Sequence, residues 1–150
     1  MADPVPFWRR KPLAALTEAE WEALCDGCGR CCLVKLRDPG TGVLHYTGVA
    51  CRLLDPDTCR CRDYDHRRER VADCLAVRAL PRAALADLPP TCAYRRLAEG
   101  RDLPPWHPLL TGDAGSVRAA GVSACLLAVS EEHVHPDDLR HFILPPWPEE

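Results

Sequence analysis

Ten cysteines in 150 residues, eight of them between positions 25 and 74, constrain this chain more than any other feature. Four stand in one octet, Cys25-Asp26-Gly27-Cys28-Gly29-Arg30-Cys31-Cys32, and four more follow as Cys51, Cys59, Cys61 and Cys74. Cysteines separated by two residues in a tight turn offer two sulfurs to one centre without straining the backbone, and the thiolate is the form that binds. Gly27 and Gly29 admit positive φ and let backbone N–H groups face the sulfurs, which stabilises their charge. The octet therefore reads as a chelating run. Cys92, in the first turn of an expected helix, is a ninth candidate ligand, whereas Cys125, inside an expected buried strand, reads as an apolar residue with an inert thiol.

The compartment decides whether such cysteines carry disulfides or metal. After Arg9-Arg10-Lys11 the apolar residues 13–16 stop at Thr17-Glu18-Ala19-Glu20, too soon for an export signal, and no other run is long enough to span a membrane. The expectation is a cytoplasmic protein with reduced thiols, no membrane partner, and a metal in place of a disulfide framework. A net charge of −3 and a pI near 6.1 argue against a general nucleic-acid binder. The richest basic stretch, residues 60–70, interleaves its arginines with Asp63, Asp65 and Glu69, as a solvated mixed-charge face does. No P-loop, dinucleotide fingerprint, nucleophile elbow or H-E-x-x-H is present, so no catalytic residue is assigned. His133 and His135 read as surface residues. His107, between Trp106 and Pro108, reads as held by a backbone hydrogen bond and not as a ligand.

The spacing departs from familiar patterns. A zinc ribbon has two separated C-x-x-C knuckles, and here the second half offers C-x-C. A ferredoxin run places its fourth cysteine several residues on, whereas here Cys32 adjoins Cys31. Since one ion or one cluster takes about four thiolates, the eight cysteines ask for two centres. One division gives Cys25, Cys28, Cys31 and the distant Cys74 to the first and Cys32, Cys51, Cys59 and Cys61 to the second. Diverging side chains at 31 and 32 would then link the two, with Cys92 in neither. Thiolate donors suit zinc and iron–sulfur clusters alike, so the metal stays open.

With 47% apolar residues and 15 prolines, the chain reads as one small, irregular, proline-rich α+β domain over residues 1–150, its short helices and a β-hairpin organised around a cysteine-ligated metal centre. Residues 1–16 would form an N-terminal arm anchored by Phe7 and Trp8, residues 24–92 the cysteine cluster region, and residues 93–150 a C-terminal helix and strand region. Thr17 to Glu20 spells a capping box, with Leu16 and Trp21 as its hydrophobic staple, and predicts a helix to about Leu24. Residues 33–37 and 43–47 flank Asp38-Pro39-Gly40-Thr41-Gly42 and predict a hairpin returning the chain beside Cys32 at Cys51. Asp55-Pro56-Asp57 is a further turn that brings Cys59 and Cys61 toward Cys51. Residues 67–86 read as helical with a break at Pro81, residues 91–99 as a helix capped by Thr91, 122–129 as a buried strand and 136–144 as a last short helix.

The chain resembles the YcgN family of small bacterial cysteine-cluster proteins. The likeness rests on Val5-Pro6-Phe7-Trp8, the segment from Leu24 to Cys32, Val49-Ala50-Cys51-Arg52, Thr58-Cys59-Arg60-Cys61-Arg62-Asp63-Tyr64, and residues 91–112 with Trp106-His107-Pro108-Leu109-Leu110. It implies zinc or iron chelation and extends to Cys25, Cys28, Cys31, Cys32, Cys51, Cys59, Cys61, Cys74 and Cys92, but not to Cys125. A similar region accompanies flagellin lysine methylases, where an iron–sulfur cluster is implied. Three functions follow: a metal-binding module, an iron–sulfur protein passing electrons or a cluster to an unidentified protein client, and a thiol redox sensor.

Overall fold

The computed structural model describes residues 5–71 and 82–145. Cys74, and the middle of the helical expectation over 67–86, lie outside them. The described parts of that expectation are one helical turn at Arg67–Arg70 and a 3-10 segment at Arg82–Asp87.

A small α+β architecture results. Six short α-helices, α1 (Phe7–Arg10), α2 (Glu18–Ala23), α3 (Arg67–Arg70), α4 (Ala93–Ala98), α5 (Pro108–Thr111) and α6 (Ser116–Ala119), are described, with 3-10 turns between them. Beside them stands a three-stranded mixed sheet in the order β1 (Leu33–Arg37), β2 (Leu44–Ala50), β3 (Val129–Ser130). The α2 start follows the capping box: the Thr17 hydroxyl accepts from the Glu20 N–H at 3.1 Å, and the Glu20 carboxylate accepts from the Thr17 N–H at 3.0 Å. These bonds satisfy donors that a helix start otherwise leaves open. Leu16 and Trp21 are buried in the same cluster, as a staple requires.

The hairpin has the predicted turn. Asp38 Oδ1 accepts from Gly40 and Thr41, and Leu33 pairs with Ala50 across the two strands. One residue beyond that pair, the Cys51 N–H donates to the Cys32 carbonyl at 2.8 Å. The hairpin thus carries Cys51 back to the octet, 19 positions from Cys32 by number.

The core is divided into two clusters, and the cysteines divide with it. The first packs Leu16, Trp21 and Leu24 against Leu85, Leu88, Ala93, Tyr94 and Leu103, with Cys92 at its margin; Trp21 and Tyr94 stack at 4.5 Å. The second joins Leu33, Ala50, Leu54, Cys59 and Ala124, with Cys32 and Cys125 against it.

Three local expectations are corrected. The first residue of α4 is Ala93 and its N-cap is Cys92; Thr91 is buried instead and accepts a hydrogen bond from Arg30. Residues 122–129 do not form a buried strand. Ala124–Leu126 is a 3-10 turn, because the Ala124 N–H leaves for the Cys28 carbonyl at 2.7 Å, and only Val129–Ser130 pairs with β2, in parallel. The last helix is a 3-10 segment, Pro136–Phe142, started by His135, whose Nδ1 accepts from the Asp137 N–H. Among the described residues no helix is long and apolar enough to cross a membrane.

Candidate metal centre

The octet begins where α2 ends. The Cys25 N–H donates to the Glu22 carbonyl, and the chain then turns through Gly27 at φ 75° and Gly29 at φ 74°. Both angles lie in the left-handed region that only glycine enters at little cost. Asp26 Oδ1 accepts from the Cys28 N–H at 3.0 Å, and a 3-10 turn over Arg30–Cys32 closes when Cys32 N–H reaches the Gly29 carbonyl. Two left-handed residues thus fold eight residues into consecutive turns carrying Cys25, Cys28 and Cys31.

Three hydrogen bonds then bring the α4 start and the following connector onto that run. The buried Arg30 guanidinium donates to Thr91 Oγ1 at 3.2 Å, Tyr94 Oη donates to the Trp21 carbonyl at 2.6 Å, and His107 Nε2–H donates to the Leu24 carbonyl at 2.7 Å. The His107 tautomer follows from its second contact, since Nδ1 accepts from the Leu109 N–H at 3.0 Å. His107 is fully buried and takes the role read from the sequence, a backbone partner.

These contacts set Cys92, which follows Thr91, within electrostatic reach of Cys25 and Cys31. The Cys92 thiol is pushed up to about 12, first by burial and then by the charges of Cys31 and Cys25. Cys25 is also pushed up to about 12, by desolvation and then by the charge of Cys31. Cys28, buried, is raised well above its ordinary value, chiefly by desolvation. Cys31 moves the other way, from 9.0 to about 7, first through a hydrogen bond from the Cys32 thiol and then through the Lys35 ammonium. That ammonium is fixed by donating to the Cys31 and Leu33 carbonyls. The two neighbouring sulfurs are thus within hydrogen-bonding reach of each other, where the sequence reading has them diverge.

A group of four thiols in which one ionises easily and the others resist a second negative charge is chemically suited to a cation. A divalent ion or cluster would cancel the repulsion and release the remaining protons. The donors are all sulfur, which fits zinc or an iron–sulfur centre. Among the described residues no three His, Cys, Asp or Glu side chains stand together as an assembled ligand set.

The second set follows the hairpin in the chain and packs back against the octet, with Cys59 Sγ 3.7 Å from the Cys28 carbonyl. Cys51 follows β2, and its Sγ receives the Leu53 N–H at 3.5 Å. The Asp55-Pro56-Asp57 turn forms as read: Asp55 Oδ1 accepts from Asp57 and Thr58, and the Asp55 carbonyl from the Cys59 N–H at 2.8 Å. Leu54 bridges to Cys61, and Cys59 takes φ 58°. Cys59 is joined in a disulfide to Cys125, a partner the sequence reading treated as inert. No local pattern marked Cys125. The signal that could have placed Cys92 is the Pro89-Pro90-Thr91 stop before it, which fixes its backbone but says nothing of where that backbone docks.

Fold and site together define a class: small α+β proteins whose sulfur ligand candidates are gathered from turns and a hairpin end. Comparison with known proteins agrees. Residues 24–93 match the family described as "CxxCxxCC: Putative zinc- or iron-chelating domain". A UPF0260 protein of Parvibaculum lavamentivorans is 52% identical over 143 residues, covering 95% of this chain and 93% of its own. One of Azotobacter vinelandii is 51% identical over 139 residues, with 93% of each chain covered. One of Gluconacetobacter diazotrophicus is 53% identical, covering 99% of this chain and 91% of its own. The chain belongs to the UPF0260 family, the small bacterial cysteine-cluster proteins its motifs point to. No solved structure matches it.

Proposed function

We propose that this protein binds metal through thiolates at two centres, the first formed by Cys25, Cys28, Cys31 and Cys92 and the second drawing on Cys32, Cys51, Cys59 and Cys61. The observation that supports the first centre is the docking of the α4 start onto the octet, where Arg30 donates to Thr91 at 3.2 Å and the neighbouring Cys92 thiol feels the charges of Cys31 and Cys25. This replaces Cys74 by Cys92 as the distant fourth ligand. Cys74 is a further candidate from sequence alone, outside the described residues.

Metal at these positions would tie α2, the octet, the hairpin and α4 into one domain and contribute directly to folding free energy. The bound species is zinc or an iron–sulfur cluster. Protein purified without oxygen distinguishes them: iron with acid-labile sulfide and a brown colour indicates a cluster, and a colourless protein with zinc a structural ion. Cys92→Ser is the decisive variant. It is expected to lose about one centre's worth of metal relative to wild type while the second centre stays loaded. Full occupancy in Cys92→Ser would return Cys92 to the core, and a wild-type protein that takes up no metal would end the reading.

A further inference from the structure

We propose that Cys59 and Cys125 are a reversible dithiol–disulfide pair, which fastens the segment around Ala124 to the cysteine turns and, when closed, withholds Cys59 from metal. The bonded residues are 66 positions apart, and their Cα atoms lie 5.9 Å apart, an ordinary separation for a disulfide.

Both backbones are held by bonds that do not depend on the sulfurs. Cys59 is fixed by the Asp55 turn, its N–H on the Asp55 carbonyl at 2.8 Å, and Cys125 is fixed because the neighbouring Ala124 N–H donates to the Cys28 carbonyl at 2.7 Å. Opening the disulfide therefore does not scatter the two thiols, and reclosure is a local event with no long loop to find.

Neither redox state strands a polar group. Each sulfur lies 3.7 Å from a carbonyl, Cys59 Sγ from that of Cys28 and Cys125 Sγ from that of Asp55, so a thiol formed at either on reduction has an acceptor in reach. Oxidised, those carbonyls keep the Ala124 and Cys59 N–H groups. Ser123 Oγ lies 3.4 Å from Cys59 Sγ and donates to it, which stabilises a thiolate at that sulfur.

Exposure sets the order of steps, for Cys59 is buried while Cys125 is half-buried. A low-molecular-weight disulfide is attacked by the Cys125 thiolate. One small thiol leaves, and a mixed disulfide remains on Cys125. The Cys59 thiolate then attacks Cys125 Sγ and expels the second small thiol. Two protein thiols have lost two electrons to the small disulfide, and their two protons end on the two thiols released. Withholding Cys59 from metal rests on the proposed second centre; the pair itself does not.

The test uses the full chain equilibrated in glutathione buffers from reducing to oxidising, approached from both sides, acid-quenched, alkylated and peptide-mapped. The expected result is a cross-linked peptide joining Cys59 to Cys125 that appears and disappears at the same ratio from either direction. Ser123→Ala should accumulate the glutathione adduct on Cys125, because the resolving thiolate loses its donor. A cross-link from Cys59 to another cysteine, or none at any ratio, overturns the pair. Added Zn²⁺ is then counted in both states. Fewer ions in the oxidised wild type, with Cys125→Ser insensitive to glutathione ratio, supports the withholding of Cys59. Equal loading overturns that part, and no zinc in either state refutes the metal-binding reading while the cross-link stands.

Discussion

Replacing Gly29 by alanine tests the geometry of the octet against a control two residues away. Gly27 and Gly29 have nearly the same backbone, φ 75° and 74°, so the left-handed penalty of about 1–2 kcal/mol is common to Gly27→Ala and Gly29→Ala. Their surroundings differ. A Cβ on Gly27 would meet only the Arg60 guanidinium, at 3.5 Å and at the end of a flexible side chain. A Cβ on Gly29 would lie 2.7 Å from Cys59 Sγ, a sulfur tied down by Cys125. Relieving that overlap adds roughly 1–3 kcal/mol, the usual cost of overpacking a filled site. At about 2–4 °C per kcal/mol for a domain of this size, Gly29→Ala should melt roughly 2–12 °C below Gly27→Ala. The assay is thermal unfolding of metal-free protein by circular dichroism, so that ligand linkage does not enter. In a Cys59→Ala background the sulfur is gone and the two alanine variants should melt together, a double-mutant cycle in which the coupling belongs to the Gly29–Cys59 contact. Equal losses in the wild-type background, or an undiminished gap without the sulfur, would refute the packing argument.

His107→Phe leaves the Leu24 carbonyl and Leu109 N–H without partners and should cost roughly 2–4 kcal/mol in urea unfolding, whereas His107→Asn keeps the N-cap and should lose about half of that. Equal costs would show that the cap on Leu109 adds nothing and that the Leu24 link carries the whole effect. Asp102 receives the Arg9 guanidinium and the Trp8 indole N–H, and the Arg9 hydrogen bond first of all holds its carboxyl below the ordinary 3.8. A depressed carboxylate stabilises the fold above the unfolded value and loses that contribution as pH falls through the folded one. Wild type should therefore lose more stability than Asp102→Asn between pH 5 and pH 3, by less than about 1 kcal/mol since the pair is half exposed. Parallel urea midpoints across that range would count against the arm's ion pair.

Much of the local structure was legible because its causes lie within a few residues. Thr17 and Glu20 meet because three positions span one helical turn, and the Asp38 and Asp55 turns form because an aspartate carboxylate reaches N–H groups two and three residues ahead. His107 was legible for another reason: a buried imidazole beside a proline must find backbone partners. Residues 122–129 show where this reasoning stops. Their apolar run fits a strand, but the ladder donor at Ala124 was claimed by the Cys28 carbonyl, a residue whose proximity no local pattern encodes.

The grouping of the sulfurs shows the same division. That Cys25, Cys28 and Cys31 share a set of turns and that Cys51 returns to Cys32 could be read from the residues alone, since glycine positions and one hairpin suffice for both. The long-range pairings, Arg30 on Thr91 beside Cys92 and Cys59 with Cys125, came from the packing of the folded chain. Those pairings span 61 residues at the Arg30–Thr91 bond and 66 at the disulfide. Over such distances the chain has many ways to close. The choice is made by which apolar faces bury together, Trp21 on Tyr94 and Ala124 on Leu54 and Cys59, and the sulfurs go where those faces carry them.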